Sequence, residues 1–181
     1  MSLFNNSERR HCPEITDGDR RLNTPAELMN DLRQKLVATA LAWEHAFGNA
    51  PSITSAISEF DAATLVGMSV EEYSASMQRM SSVKKGYDFK FNGARYQVKG
   101  NRPSGKPGSF VTLVPKAGNY DWDFLVWILY NPHYEIQEAW LWEVSAYTAS
   151  FDSIKRLSPS HYRQGKALTV IMTPSENYHP S

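Results

Sequence analysis

Leu28, Leu32, Leu36, Ala40 and Trp43 recur every three or four residues. This is the period of a single helix face, and it predicts an amphipathic helix over 25–47 that buries this row. Thr24-Pro25 supplies a cap and a first-turn proline, and Gly48 supplies a stop. A second helix is expected over 52–66, capped by Ser52, with Ile53, Ile57, Phe60 and Leu65 or Val66 turned inward. Ser69 and Glu72 have the spacing of a capping box and open a third helix that runs to about Met80, with Met77 and Met80 as core contacts.

After residue 86 the period changes from helical to two. Tyr87, Phe89 and Phe91 alternate with Asp88 and Lys90; after Asn92-Gly93, Ala94, Tyr96 and Val98 alternate with Arg95, Gln97 and Lys99. Asn-Gly between alternating runs predicts a two-residue hairpin turn, so 91 pairs with 94, 89 with 96 and 88 with 97. Gly100 to Gly108 is rich in glycine and proline and reads as irregular, while Phe110 to Val114 fits a short strand or a helical turn equally well. Phe124 to Tyr130 is continuously apolar, as a central strand covered on both faces requires. Ile136 to Val144 reads as its neighbour, 145–156 as a helix and 167–172 as a last strand. The pattern is a mixed α/β domain over 24–173, between a loose arm at 1–23 and a flexible tail at 174–181.

The 181-residue chain has no apolar run near the ~20 residues of a membrane span, and Cys12 is its only cysteine. A disulfide within the chain is therefore excluded, and a reducing, cytoplasmic location is expected. Net charge is zero but unevenly spread. From Arg79 to Lys116 nine Lys or Arg stand against one acid, Asp88, whereas 117–150 holds five acids and no Lys or Arg. A basic stripe of this kind points to a polyanion, above all nucleic acid; the plainer alternative is a solvated surface balanced by other elements.

Several chemistries fit poorly. Gly100-x4-Gly105-Lys106 has the outline of a phosphate-binding loop, but Pro107-Gly108 follows where a hydroxyl and a helix are needed. There is no Gly-x-Ser-x-Gly elbow, and the histidines lack metal-ligand spacing. Trp122, Trp127, Trp140 and Trp142 alternate with core positions and are expected to be buried rather than to form an interaction surface. Asp121 and Asp123 share one side at the entrance of the central strand and form a rival metal site.

The hairpin offers more. Its register puts Asp88 across from Gln97, with Cβ atoms roughly 4.5–5.5 Å apart, and Lys99 two residues along on the same side. A carboxylate and an amide oxygen at that separation can share a divalent cation with an ammonium beside them; otherwise the set is the wet face of a half-buried hairpin. Glu59 in the preceding helix, Asp88 in one strand and Gln97-Val98-Lys99 in the next resemble the signature of the PD-(D/E)XK nuclease superfamily. The resemblance covers roughly 52–144. Tyr87 stands where the family's name has proline, and Gln97 replaces the acid, as in Mrr-like restriction enzymes.

The resemblance implies a restriction-endonuclease-like core, a central mixed sheet flanked by helices. It also implies a Mg²⁺-dependent DNA endonuclease, with Mn²⁺ able to substitute, whose metal is held by Asp88, Gln97, the Val98 carbonyl and Glu59. Lys99 would orient the attacking water. Lys84, Lys85, Lys90, Arg95, Arg102, Lys106 and Lys116 would hold phosphates of double-stranded DNA, and a homodimer would serve its two strands. Because Gln97 removes a negative charge, the alternative is a module that binds DNA without cleaving it.

Overall fold

The computed structural model describes residues 24–79 and 86–169. The arm at 1–23, Met80, Lys84, Lys85 and everything from 170 onward lie outside the described residues. Three helices come first: α1 (Pro25–Phe47), α2 (Thr54–Leu65) and α3 (Val70–Arg79). Thr24 and Glu27 form a reciprocal capping box on α1, and the Gly48 N–H closes its end on the Glu44 carbonyl. The Ser69–Glu72 box opens α3 as expected: Glu72 Oε2 takes the Ser69 N–H at 2.8 Å, and Ser69 Oγ takes the Glu72 N–H at 3.2 Å. Ser52 does not cap α2; Ile53 holds that position, with no side-chain cap bond.

The hairpin forms with the expected register. In β1 (Phe89–Phe91) and β2 (Ala94–Asn101), Phe89 pairs with Tyr96 and Phe91 with Ala94. Asn92 and Gly93 both have positive φ, which the tight turn demands and which Asn and Gly adopt most readily. Then follow β3 (Phe124–Tyr130), β4 (Ile136–Glu143), α4 (Val144–Phe151), α5 (Pro159–Tyr162) and the two-residue β5 (Lys166–Ala167). The five strands lie in sequence order, antiparallel except that β2 and β3 run parallel.

Parallel neighbours need a crossover. Here 102–123 provides it without a helix, and a β-bridge joins its Val114 to Leu157. Residues 110–114 thus form neither the strand nor the helical turn expected; only Val114 is bridged. Parallel pairing also carries β2 into the Gly-rich segment, with Gly100 against Ile128 and Asn101 against Leu129. The helix expected over 145–156 is shorter, and turns and bends follow Phe151.

The sheet is buried on both faces. On one, Phe89, Val98, Val126, Ile128 and Tyr130 pack with Val37 of α1, Ile57, Ala62 and Ala63 of α2 and Tyr73 of α3. On the other, Leu125, Trp127 and Trp142 pack with Trp122, Tyr147, Phe151, Leu157 and Tyr162. Trp122 and Trp127 are wholly enclosed, so the tryptophans build core. No helix among the described residues is long and apolar enough to cross a membrane.

One expectation about α1 fails. Val37 and Ala40 are buried, but Leu28, Leu32, Leu36 and Trp43 are exposed. The helix is turned so that Arg33 reaches α2, and this sets which side meets the core. Arg33 grips the buried Asp61 through two bonds of 2.6 Å, while the Tyr130 hydroxyl donates to Asp61 at 2.8 Å. A guanidinium, a carboxylate and a phenol thus tie α1, α2 and β3 together. Asp61→Ala is expected to lower unfolding free energy by about 3 kcal/mol, because it strands the Arg33 charge. Tyr130→Phe should cost about 1 kcal/mol. Urea denaturation at neutral pH checks both.

Candidate functional site

Because β1 is only three residues long, β2 outruns it, and among the described residues no strand lies beside the outer edge of β2 past Tyr96. Asp88 completes the edge. Its N–H donates to the Tyr96 carbonyl at 2.7 Å, and its carboxylate accepts the Val98 N–H at 2.6 Å. A residue's N–H and C=O point to the same side of a strand, so the Val98 carbonyl faces this edge as well. There it accepts from the Gln97 amide at 3.2 Å, which also donates to Asp88 Oδ2 at 2.5 Å.

Gln97 is only 8% exposed, so the wet-face alternative fails at this residue. The side of β2 that it shares with Lys99 lies over Leu125 and Trp127, their partners on β3, and is covered by the second core.

A cleft of about 210 Å³ opens along this edge. Asp88, Gln97, Val98 and Lys99 line it from the hairpin, Ser55, Ser58 and Glu59 from α2, and Pro115 from the crossover. The four side chains singled out in the sequence, separated by up to forty positions, therefore meet in one depression. Gly100 sets how closely α2 approaches: a Cβ there would lie 2.6 Å from the Ser58 Cβ. The far wall is held by phenols, since Tyr162 donates to the Pro115 carbonyl at 2.9 Å and Tyr147 accepts the Ala117 N–H at 3.0 Å.

Tyr73 of α3 stands close to the same acids. Burial raises its hydroxyl pKa, and the charges of Glu59, Asp88 and Asp61 raise it further. Of the two acids on α2, Asp61 is committed to Arg33 and only Glu59 lines the cleft. Ser58, Tyr73, Gly100 and Pro115 were not singled out in the sequence. Gly100, directly after Lys99 in a strand, was the one available signal, because glycine within a strand marks close approach.

Among the described residues no three His, Cys, Asp or Glu side chains form a metal-binding group. The cleft instead offers two carboxylates, an amide and a backbone carbonyl, an all-oxygen set of the kind Mg²⁺ accepts. The rival acids do not form a site. Asp123 is held by Arg95 through side-chain bonds of 2.9 and 3.1 Å and accepts the Arg95 N–H at 2.8 Å. Asp121 packs against the backbone of Gly86.

Among the described residues, three cations of the basic stripe are engaged within the molecule. Arg102, expected on a phosphate backbone, has a side chain only 6% exposed. It bonds Glu44 and the Pro132 carbonyl and stacks over the Tyr134 ring. Lys116 donates to the carbonyls of Asp152 and Ile154. Both act here as loop anchors rather than as the phosphate ligands expected: Arg102 is enclosed and its charge is matched by Glu44, and Lys116 is turned onto two backbone carbonyls. Arg95 is shared with Asp123, while Lys90 and Lys106 are exposed. Where a phosphate-binding loop would hold its ligand, the Gly105 N–H holds Glu44.

No protein-family model and no curated protein matches this chain.

The Arg95 hydrogen bonds, from guanidinium and then backbone, hold the Asp123 carboxyl at about 2, below its ordinary 3.8. A depressed folded-state value stabilises the fold above the unfolded value, and that contribution is lost as pH falls through the folded one. Asp123→Asn should therefore melt below wild type above about pH 4, with the gap closing toward about pH 2. Thermal unfolding across that range checks it.

Proposed function

We propose that the cleft at the outer edge of β2 is the active site of a metal-dependent DNA endonuclease with a restriction-endonuclease-like core. The observation that carries this reading is the convergence of Glu59, Asp88, Gln97 and Lys99 on one depression beside the Val98 carbonyl. A mixed sheet with helices on it, and an antiparallel hairpin carrying the motif, are compatible with that core. Asp88, Glu59, the Val98 carbonyl and the Gln97 amide oxygen would hold Mg²⁺. When bound, such an ion supplies Lewis-acid polarisation of a phosphate and acidification of a coordinated water.

The chain's own residues do the rest. Asp88 is fastened by the Val98 N–H, so its second oxygen sits at a fixed place on the cleft wall. Gln97 presents its amide N–H to Asp88. Turning that amide over would present its oxygen in place of its N–H, while Asp88 Oδ2 keeps the Val98 N–H. Lys99 brings an ammonium that can donate to a non-bridging phosphate oxygen and to the attacking water, where charge accumulates in the transition state. Lys90 and Lys106, exposed on either side of β2 in the chain, would contact flanking phosphates.

A second reading is a module of the same fold that binds DNA without cutting it. The Gln97–Asp88 bond favours it, since the amide satisfies the carboxylate without a cation.

Incubation of duplex, single-stranded and branched DNA with Mg²⁺, Mn²⁺ or EDTA separates the two readings. Metal-dependent cuts are expected, and Lys99→Ala should reduce them by about 10²–10³-fold. Affinity should change little, because a single ammonium carries a small share of phosphate binding. Asp88→Asn should remove cutting while retaining the fold, since its carbonyl oxygen can still accept the Val98 N–H. Cutting by Lys99→Ala at the wild-type rate would exclude this cleft. Salt-sensitive binding without cutting would favour the second reading.

A further inference from the structure

Leu28, Leu32, Leu36, Trp43 and Phe47 are 40% to 65% exposed and lie on one helix. At about 100° per residue they fall within one sector of α1, beside the buried side that carries Val37 and Ala40. Trp43 and Phe47 already touch, with ring centroids 4.6 Å apart. The apolar area of this stripe is on the order of 500 Å², toward the upper end of the roughly 300–600 Å² that monomers leave open.

Four of the five stripe residues are spaced two-fold symmetrically, and the fifth, Leu36, has Thr39 as its mate. Leu28 and Phe47 are equidistant from a point between Val37 and Ala38, and so are Leu32 and Trp43. A second α1 laid antiparallel across the first therefore sets Leu28 against the partner's Phe47 and Leu32 against the partner's Trp43, twice over. Beside Leu28 lies a groove of about 320 Å³ between α1 and α3, lined by Met29, Val70 and Ala75. Asp31 and Lys35, at the side of the stripe, pair with each other at 2.7 Å and bring no unpaired charge to the contact.

We infer that α1 is the isologous interface of a homodimer, two antiparallel copies packing face to face. Two stripes together remove on the order of 1,000 Å² before the groove and flanks are counted, the size at which specific interfaces begin. A closed two-fold contact uses the same patch on both copies, as this stripe's symmetry provides. The inference stands independently of the proposed nuclease activity.

The test uses the full chain and two variants at exposed positions, Leu32→Lys and Trp43→Glu. By analytical ultracentrifugation at micromolar concentration, wild type is expected at twice the 20.5 kDa chain mass and each variant at the chain mass. Mixed in equal amounts, the variants should return to the doubled mass. The antiparallel register then places the introduced lysine of one copy against the introduced glutamate of the other and keeps one native Leu32–Trp43 contact. A monomeric wild type, or variants that remain dimeric, would overturn the interface. Monomeric variants that do not recover on mixing would overturn the antiparallel pairing. Far-UV circular dichroism checks that each variant keeps the wild-type helical signal; should a variant unfold, a wild type that sediments at the single-chain mass still overturns the interface.

Discussion

The carboxylate of Asp88 on the backbone N–H of Val98 is the contact around which the candidate site is built. β1 stops after three residues, and an uncovered strand edge would leave Val98 with unsatisfied main-chain groups in a half-enclosed place. A side chain resolves this where another strand residue would have closed the edge. The substitution leaves room, and the room is the cleft. It also fixes Asp88 as an acceptor next to Gln97 and the Val98 carbonyl, while Lys99 follows from the same strand. One hydrogen bond thereby serves both the sheet and the proposed chemistry.

The other wall depends on how α2 is held. Asp61 faces into the protein, where Arg33 and Tyr130 satisfy it, and Glu59, two residues earlier, lines the cleft. Ser58 lies against Gly100, so the helix can approach the strand closely enough to bring Glu59 to the hairpin. Burying an ion pair is weak evidence for net stability, because desolvation offsets much of the attraction. Here its consequence is orientation: it sets the rotation of α1 and α2 against β3. The same rotation turns the apolar stripe of α1 outward.

Charge is turned inward as well. Arg102 and Glu44 fasten the loop after β2, Lys116 fastens the crossover, and Arg95 is shared with Asp123. Among the described residues, part of what reads as one basic stripe is therefore internal bracing, through Arg95, Arg102 and Lys116. For a nucleic-acid partner this means few phosphate contacts from the described residues, and correspondingly modest salt dependence from them.

Local pattern by itself determined the hairpin and its register, since Asn92-Gly93 accepts positive φ and the alternation permits only one pairing of the faces. It determined the caps of α1 and α3, which depend on residues three apart, and the central place of Phe124 to Tyr130, whose apolar run can only be buried. The hairpin register also marked Asp88, Gln97 and Lys99 as neighbours; Glu59 joined them only through the resemblance, and its meeting with them needed the fold. Tertiary structure alone decided which side of α1 is buried, because an apolar row looks the same whether it meets a core or another molecule. It decided which of Glu59 and Asp61 lines the cleft, which cations are consumed, and that Gln97 is enclosed. Each of these turns on the second core or on partners 28 to 101 positions away, and contacts at that range leave no trace in local spacing.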